Sequence, residues 1–423
     1  MPRTNGRLRI QDTTVPVVVL KADDYGGLGI VRSLGRSGLQ VYCIESNPAA
    51  PAVRSRYCAG SFTWDIDGAS SEKSLDFLLQ IARRFSTPPV LIPTGDASSV
   101  FVAEHAHALK PAFRFSVCPA GVSQALYDKK QMYLLCKQHG VPTAETAFPQ
   151  NAEDLRHFIR SAEFPVVLKA IDAARLQQRT GLRLLIARNE RELLDGYTRL
   201  EDPQQPNLML QEYIPGGEDS VWMFNGYFDA NSECLFGATG RKLRQFPVYT
   251  GMTSLGICLK NQTVYANTQS LMKSVGYRGI LDIGHRYDAR NGQYKILDIN
   301  PRIGATFRLF VASNGLDVAR ALYLDLTGQR VPPAEVCDGR KWLVEDKDLI
   351  SSLHYRRDHR LTVSQWARSL GGIEETAYFA WDDPIGLLRP VGNLSRHLVR
   401  YLLTRKYGQT GLLSKRPAEH AVG

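Results

Sequence analysis

Oxygen-bearing side chains gather in the segment 279–302 at a spacing that suits a hard metal ion. Asp298 and Asn300 lie two positions apart in an apolar-polar run, and a similar run, 280–288, precedes it across a turn signal at 290–292. The two runs predict a β-hairpin, in which alternation along the strand turns Asp298 and Asn300 to one face. Carboxylate and amide oxygens, completed by water and phosphate, suit Mg²⁺.

Asp282, on the first strand of this hairpin, can face the same site, although the sequence does not fix the register of the two strands. The alternative for all three side chains is a solvated hairpin face that carries an incidental acid. We therefore expect a metal site made of Asp282, Asp298 and Asn300 if strand pairing brings Asp282 beside the other two.

Basic side chains that suit phosphate binding occur in three places. Lys129 lies in a helical pattern, Lys169 ends a short apolar strand pattern, and Arg241 and Lys242 stand together in a basic segment. A lysine ammonium is a compact, strongly hydrated point charge that pairs well with phosphate. The alternatives are a surface helix lysine, a strand-end lysine that reaches into solvent, and a solvated basic strand. On a strand, Lys242 and Arg244 would share one face and Arg241 would point to the other.

The elements before these residues have a pattern of their own. Apolar runs at 15–20, 39–44 and 90–93 alternate with helical segments, which predicts a parallel α/β domain. The glycine turn at 26–29 could hold a phosphate, but it lacks the G-x-G-x-x-G spacing, so a plain tight connection is the alternative. A nicotinamide-dependent dehydrogenase stays open as a rival. A helical pattern follows over 126–139.

In chain order, these pieces resemble the ATP-grasp superfamily, and within it the carboxylate-amine ligases of the D-aspartate ligase-like group. Five motifs in this sequence order are hard to obtain by chance. The motifs are Asp128-Lys129, Lys169, Gln211-Glu212-Tyr213-Ile214 with Glu218, the basic stretch 240–247, and Asp298-Ile299-Asn300-Pro301-Arg302.

The resemblance implies a mixed α/β and α+β fold. A Rossmann-like domain over 1–122 would precede an ATP-grasp domain of two subdomains over 123–335. A family-specific C-terminal extension with a basic tail would occupy 336–423. ATP would lie between the two subdomains.

The resemblance also implies roles for individual residues. Lys129 and Lys169 would contact the phosphates of ATP. Glu218 would reach the ribose hydroxyls, and for this residue a plain turn acid is the alternative. The hinge that reads the adenine edge would be formed by Gln211, Glu212, Tyr213 and Ile214.

The implied reaction transfers the γ-phosphate of ATP to a carboxylate, after which an amine attacks the acyl phosphate to form an amide. Arg302, Arg241 and Lys242 are the expected catalytic cations, because each step concentrates negative charge on oxygens. ATP and Mg²⁺ are the expected cofactors. Small carboxylate and amine compounds, amino acids or peptides, are the expected partners.

Departures from the family pattern keep two further alternatives open. Gly284 stands where most ATP-grasp hairpins carry a glutamate metal ligand, and Asp298 replaces the usual glutamate. These changes leave the number of metal ions open and admit a non-catalytic or regulatory ATP-binding module. An ATP-grasp phosphotransferase that stops before amide formation is the other alternative.

Composition bounds the remaining possibilities. The 423 residues carry a net charge of +10, and the seven cysteines include no Cys-x-x-Cys pair, so neither a zinc ribbon nor a disulfide framework is indicated. No apolar run reaches the ~20 residues of a membrane span, which predicts a cytoplasmic protein. Basic and aromatic residues do not interleave, so no nucleic-acid partner is expected. A homodimer stays open.

The last part of the chain has a basic amphipathic pattern. It begins at Leu394, and apolar residues recur there at helical spacing among arginines. Such a helix can lie on an anionic membrane surface. The simpler alternative, which we favour, is a helix that packs on its own protein.

Overall fold

The computed structural model describes residues 8–182 and 184–387. Its strands are β1 Val17–Leu20, β2 Val41–Ile44, β3 Cys58–Phe62, β4 Val90–Pro93, β5 Thr146–Ala147, β6 Val166–Ala170, β7 Leu184–Ala187, β8 Leu208–Glu212, β9 Val221–Phe228, β10 Cys234–Phe246, β11 Met252–Cys258, β12 Gly279–Asp288, β13 Gln293–Asn300, β14 Lys341–Leu343 and β15 Ile373–Thr376. Within these ranges they form three sheets, ordered β3-β2-β1-β4, β13-β12-β9-β10-β11-β14-β15 and β5-β8-β6-β7.

Helices connect and cover the sheets. They are α1 Tyr25–Gly35, α2 Pro51–Arg54, α3 Ser71–Ala82, α4 Asp96–Glu104, α5 Ala106–Leu109, α6 Val122–Tyr127, α7 Lys129–Gln138, α8 Ala152–Ile159, α9 Ala173–Thr180, α10 Glu190–Leu200, α11 Gln262–Ser274, α12 Val318–Leu326, α13 Glu345–Arg357 and α14 Val363–Ser369. Short 3-10 helices cover Glu218–Ser220, Phe307–Leu309 and Pro384–Leu387.

The first sheet is parallel and contains the predicted β-α-β unit. β1 and β2 pair with Val17 opposite Val41, and α1 connects them. Asp24 caps α1, because its carboxylate accepts a hydrogen bond from the N–H of Tyr25 at 2.7 Å. All four residues of β1 are buried, as its unbroken β-branched run predicts.

The second sheet is mainly antiparallel and contains the predicted hairpin. β12 and β13 pair with each other, and β9 lies on the other side of β12. β14 and β15, from the region after residue 336, extend the same sheet beyond β11. The C-terminal region therefore completes the central sheet. The division of the chain at residues 122 and 335 stays a prediction.

The third sheet is small, and it presents one predicted lysine. β6, which carries Lys169, lies between β7 and β8, and both neighbours run antiparallel to it. Leu155, Leu176 and Leu193, from α8, α9 and α10, belong to the hydrophobic cluster that includes Leu168 of this sheet. Alternation along β6 places Leu168 in that cluster and leaves Lys169 on the opposite face.

A shared hydrophobic core joins the first sheet to one face of the second. Val19 and Leu34 belong to the same buried cluster as Met223 and Ile280 of the central sheet. The start of α1 also approaches the chain that follows β13, because a Cβ on Gly26 would lie 3.0 Å from the Cα of Ala305. The C-terminal edge of the first sheet is thereby held near the hairpin.

The helical pattern over 126–139 is broken in the structure. Asp128 takes an extended conformation between α6 and α7, with φ −70° and ψ 118°. Its carboxylate accepts hydrogen bonds from the N–H groups of Lys130 at 2.9 Å and Gln131 at 2.8 Å. Because Asp128 caps a new helix, α6 ends at Tyr127 and α7 begins at Lys129. Lys129 therefore lies in the first turn of α7.

Two predictions concern membranes. The amphipathic segment that begins at Leu394 lies outside the described residues. In the described part of the chain, no helix combines the length and the apolar character needed to cross a membrane.

Candidate active site

The predicted metal donors meet on one face of the β12–β13 hairpin. Asp282 lies directly opposite Asn300, and Gly284 lies opposite Asp298. Because directly opposed residues project to the same side of a sheet, Asp282, Asp298 and Asn300 share one face. The Nδ2 of Asn300 donates a hydrogen bond to Oδ2 of Asp298 at 3.0 Å, which orients both side chains.

Two glycines make room for the carboxylates. At position 284 a Cβ would lie 2.5 Å from Oδ1 of Asp298, and at position 304 it would lie 2.5 Å from Cγ of Asp282. Both distances are shorter than van der Waals contact allows, so a side chain at Gly284 or Gly304 would displace the neighbouring acid. The space beside Gly284 is filled by Asp298 itself.

Asn225, which the sequence analysis did not single out, adds an amide to this face. It lies on β9 opposite Asp282 and is fully buried. Its amide is close enough to Asp282 to favour the ionised acid, yet neither amide atom makes a hydrogen bond of ordinary geometry with the residues described. A buried amide without a partner is costly, so Asn225 is suited to an added polar ligand. In the sequence, a single amide in the otherwise apolar run 221–228 was the signal that could have identified Asn225.

Burial and neighbouring cations give the two carboxylates different pKa values. Burial raises the pKa of Asp282 to about 6, although the nearby Arg302 opposes that rise. Burial acts in the same direction on Asp298, but Lys169 and Lys242 outweigh it and hold the pKa of Asp298 below its usual value. Asp298 is therefore ionised at neutral pH, and Asp282 takes up a proton in mildly acidic solution.

Lys129 and Lys169 approach each other from different elements. Nζ of Lys129 donates hydrogen bonds to the carbonyl oxygens of Ala170 at 3.1 Å and Ile171 at 2.7 Å, which anchors it to the end of β6. Burial, followed by the charge of Lys169, lowers the pKa of Lys129 to about 8. Burial also lowers the pKa of Lys169, while Asp298 opposes that change.

Lys242 faces the carboxylates, and Arg241 does not. On β10, Lys242 is paired with Gly256, and Arg241 is paired with Ile257, so the two basic side chains lie on opposite faces. Nζ of Lys242 donates a hydrogen bond to the carbonyl oxygen of Gly251 at 3.1 Å. Burial lowers the pKa of Lys242, and Asp298 and then Asp282 oppose that change.

The prediction that Lys242 and Arg244 share a face is wrong. A β-bulge between them sets Lys242 opposite Gly256 but Arg244 opposite Leu255, and consecutive partners face opposite ways. Arg244 is instead buried against α13, where Nε and Nη2 donate to the carboxylate of Asp348 at 2.7 and 2.9 Å. The bulge leaves Lys242 as the cation of this segment on the hairpin's site face.

Arg302 connects the hairpin to the first sheet. Its guanidinium forms an ion pair with Asp96, the first residue of α4, which lies directly after β4. Burial disfavours the charge on Arg302, but Asp96, Asp282 and Asp298 together raise its pKa. Asp96 is the second residue that the sequence analysis did not assign. Its position after a parallel strand was the signal, since such edges commonly form sites.

The predicted hinge lies at the edge of this region. The buried Gln211 donates from Nε2 to Oγ1 of Thr146 at 3.2 Å. The carboxylate of Glu212 accepts a hydrogen bond from Nζ of Lys295 at 2.7 Å and pairs with Arg290. The side chains of Gln211 and Glu212 are therefore engaged within the protein, and their backbones are paired in the small sheet, where the N–H of Glu212 donates to the carbonyl oxygen of Glu145 at 2.8 Å.

The other hinge residues lie against β12. Nε of Arg286 donates to the carbonyl oxygen of Ile214 at 2.8 Å, and Nη2 donates to that of Gly216 at 2.6 Å. Tyr213 and Glu218 both interact electrostatically with the same guanidinium. Arg286 thus holds the segment after β8 beside the central sheet.

Separate elements bring their cations to one carboxylate. Lys169 from β6, Lys242 from β10 and Lys129 from α7 all lower the pKa of Asp298, and Asp298 in turn raises the pKa of Arg302. Among the residues described, no group of three or more His, Cys, Asp or Glu side chains could hold a metal ion alone. The arrangement suits a ligand with several negatively charged oxygens, bound together with a metal cation that the ligand and the carboxylates share.

Comparison with known proteins finds no matching family model. The chain is 24% identical over 244 residues to a D-aspartate ligase of Enterococcus faecium, which covers 55% of this chain and 57% of that protein. It is 20% identical over 351 residues to the N-terminal section of the carbamoyl phosphate synthase large chain of Methanopyrus kandleri, which covers 79% of this chain and 59% of that one.

Solved structures share the architecture. N5-carboxyaminoimidazole synthetase from Staphylococcus aureus superposes with a TM-score of 0.60 at 15% identity, over 84% of this chain and 88% of that one. The biotin carboxylase domain of Hydrogenobacter thermophilus 2-oxoglutarate carboxylase, solved with MgADP, ADP and bicarbonate, gives 0.58 at 18% identity, over 77% and 73%. The chain has the ATP-grasp fold. In this fold the small sheet brings Lys169 close enough to the hairpin to act on the carboxylate of Asp298.

The chain spans less than two thirds of the length of the curated relatives it matches. It covers 57% of the D-aspartate ligase and 59% of the carbamoyl phosphate synthase section. The architecture therefore establishes the ATP-grasp fold.

Proposed function

We propose that this ATP-grasp protein is an ATP-dependent ligase that joins a carboxylate to an amine through an acyl phosphate. One observation carries the proposal: Lys129, Lys169 and Lys242, from three separate elements, converge on Asp298, which also interacts with Arg302. Folding these like charges together is unfavourable without anions between them. ATP and an acyl phosphate supply such anions.

The nucleotide would be held by groups on both sides of the cleft. Lys129 and Lys169 would contact its phosphates, and the segment from Gln211 to Ile214 would contact the adenine edge through backbone groups. Glu218, half-buried beside Arg286, would reach the ribose. The fixed position of Lys129, bonded to two carbonyl oxygens of the β6 end, supports a preorganised phosphate site.

Mg²⁺ would be held by Asp282, Asp298 and Asn300. Mg²⁺ uses one or two carboxylates together with substrate phosphates and water, so two acids suffice once the nucleotide is bound. The buried amide of Asn225, which has no partner of ordinary geometry among the described residues, supports an added polar ligand on this face. When bound, the ion neutralises charge on the phosphates.

The reaction would proceed in two balanced steps. A carboxylate oxygen attacks the γ-phosphorus of ATP and forms a new O–P bond. The bond from the γ-phosphorus to the bridging oxygen breaks, and ADP leaves with its electrons. The amine nitrogen then attacks the acyl carbon, the C–O bond to phosphate breaks, and one proton is released. Lys242 and Arg302 would stabilise the oxygen charge that builds up in both steps.

The substrates would be amino acids or peptides. The similarity to a D-aspartate ligase supports a substrate of this size and chemistry. The proposal leaves the two other predictions about the intact protein, a homodimer and a cytoplasmic location, as predictions.

A nucleophile that needs no binding pocket tests the proposal. The full chain is incubated with ATP, Mg²⁺, hydroxylamine and a panel of carboxylic acids that includes amino acids and bicarbonate. We expect one acid or group of acids to give ADP and a hydroxamate in equal amounts. The Asp298→Ala variant should give neither product, because it removes the carboxylate around which the three lysines gather.

Other outcomes separate the alternatives. Transfer of phosphate to an acceptor without hydroxamate or amide would indicate a phosphotransferase. Tight ATP binding without turnover for any acid would indicate a nucleotide-binding module. Either result would refute the ligase proposal.

A further inference from the structure

A cavity of about 280 Å³ adjoins the ion pair between Arg302 and Asp96. Its walls come from β4 and α4 of the first sheet, from α6, and from the segments around 279 and 302 at the ends of the hairpin strands. The cavity is therefore lined at one side by Arg302 and its two neighbours, Pro301 and Ile303. It lies beyond the nucleotide and metal residues named above.

The walls of this cavity are mainly apolar. The apolar side chains that line it include Ile92, Val100, Phe115, Val117 and Ile303. Ser99 also lines it, and its hydroxyl is buried without a hydrogen-bond partner among the residues described. An apolar pocket with a few polar groups is the usual surrounding of a bound small molecule.

Asp96 lines this cavity and places a negative charge beside Arg302. Its Oδ1 pairs with Arg302, whereas no described residue donates a hydrogen bond to its Oδ2. The side chain remains 41% exposed, so a ligand can reach it. A carboxylate oxygen in this position suits an amino group.

We propose that this cavity binds the acceptor amine, an amino acid or peptide whose first side chain is apolar. The apolar side chain occupies the cavity, and the amino group lies beside Asp96. This inference rests on the proposed ligase function and names the acceptor class for it. Because Arg302 contacts Asp96 and also interacts with Asp282 and Asp298, an amine held there lies next to the site of acyl phosphate formation.

The test compares two acceptors that differ only in the side chain. With the acid identified by the hydroxylamine screen, kcat/KM is measured for L-leucine and for glycine. We expect the unmodified protein to prefer leucine by at least about tenfold, the range that a few methylenes contribute in an apolar pocket. Equal use of glycine and leucine would overturn the inference.

Variants of one wall residue locate the preference. Val100→Phe fills the cavity and should reduce the leucine-to-glycine ratio of kcat/KM by about tenfold. Val100→Ala enlarges the cavity and should raise the phenylalanine-to-leucine ratio. Val363→Phe makes the same change on an exposed position of α14 and should leave the ratio as it is. Thermal melting confirms that each variant is folded.

The ligase proposal and the acceptor-site proposal fail in different ways. If hydroxamate forms, but Val100→Phe keeps the leucine-to-glycine ratio and Val100→Ala keeps the phenylalanine-to-leucine ratio of the unmodified protein, the acceptor site is refuted and the ligase stands. If no acid gives hydroxamate, the ligase proposal is refuted, and the acceptor site with it.

Discussion

Gly284 lies directly opposite Asp298 in the central hairpin, and the carboxylate of Asp298 occupies the space into which a side chain at 284 would project. The two departures from the family pattern are therefore linked. A glycine on one strand accommodates the shorter acid on the other, and the site keeps a carboxylate between its cations. Asp282, two residues before Gly284, supplies the second carboxylate from the same face.

Replacing Gly284 with alanine should disable the site. The added Cβ would lie 2.5 Å from Oδ1 of Asp298, so the carboxylate must turn away from Lys169 and Lys242. We expect kcat/KM to fall about 10- to 100-fold, the range seen when groups that orient metal ligands are lost. The measurement is hydroxamate formation at varied Mg²⁺ concentration. Gly371→Ala, on the exposed surface, is the control, and equal activity of the two variants would contradict the linkage.

The opposite faces of β10 predict a contrast between neighbouring basic residues. Lys242→Met should lower turnover about 100-fold, because it removes a cation that faces Asp298. Arg241→Met should change turnover by less than about threefold, since its side chain lies on the other face of the sheet. Steady-state kinetics of both variants decide the matter. A larger loss from Arg241→Met than from Lys242→Met, in folded protein, would show that Arg241 reaches the substrate.

The lowered pKa of Lys129 predicts a pH dependence. The free protein holds Lys129 charged below about pH 8 and neutral above it. Its attraction for ATP phosphates is therefore present at pH 7 and is lost as the pH rises through 8. We expect kcat/KM for ATP to decline between pH 7 and 9. Lys129→Arg should flatten the decline because arginine stays charged, while the exposed neighbouring Lys130→Arg should keep it.

The contact between α1 and the C-terminal region predicts a difference in stability. Arg32 and Asp383 form a buried ion pair at 2.9 Å, and Oδ2 of Asp383 also accepts a hydrogen bond from Ser55 at 2.6 Å. Asp383→Ala leaves the guanidinium of Arg32 buried without its carboxylate and should reduce the free energy of unfolding by about 3–5 kcal/mol.

The adjacent acid provides the comparison. Asp382 pairs with Arg36 at the surface, where its side chain is 43% exposed, so Asp382→Ala should reduce the free energy of unfolding by about 0–1 kcal/mol. Urea unfolding of both variants measures the difference. Equal losses would mean that the buried pair does not hold the C-terminal region in place.

Local patterns in the sequence predicted the elements that carry the site. The hairpin, its turn and the shared face of Asp298 and Asn300 follow from period-two alternation, which acts over a few residues. The parallel strands of the first sheet follow from their unbroken apolar runs. The break at Asp128 was missed because capping competes with a continuing helical pattern over only one turn.

Residue types and the elements that carry them were predictable from local patterns: carboxylates on a hairpin and lysines on a strand and at a helix start. Which of these side chains meet depends on how the chain folds. The bulge in β10 separated Lys242 from Arg244, strand pairing brought Asn225 beside Asp282, and the junction of two sheets joined Arg302 to Asp96. Alternation and capping act over a few neighbouring residues, whereas register and sheet contacts depend on residues far away in the chain.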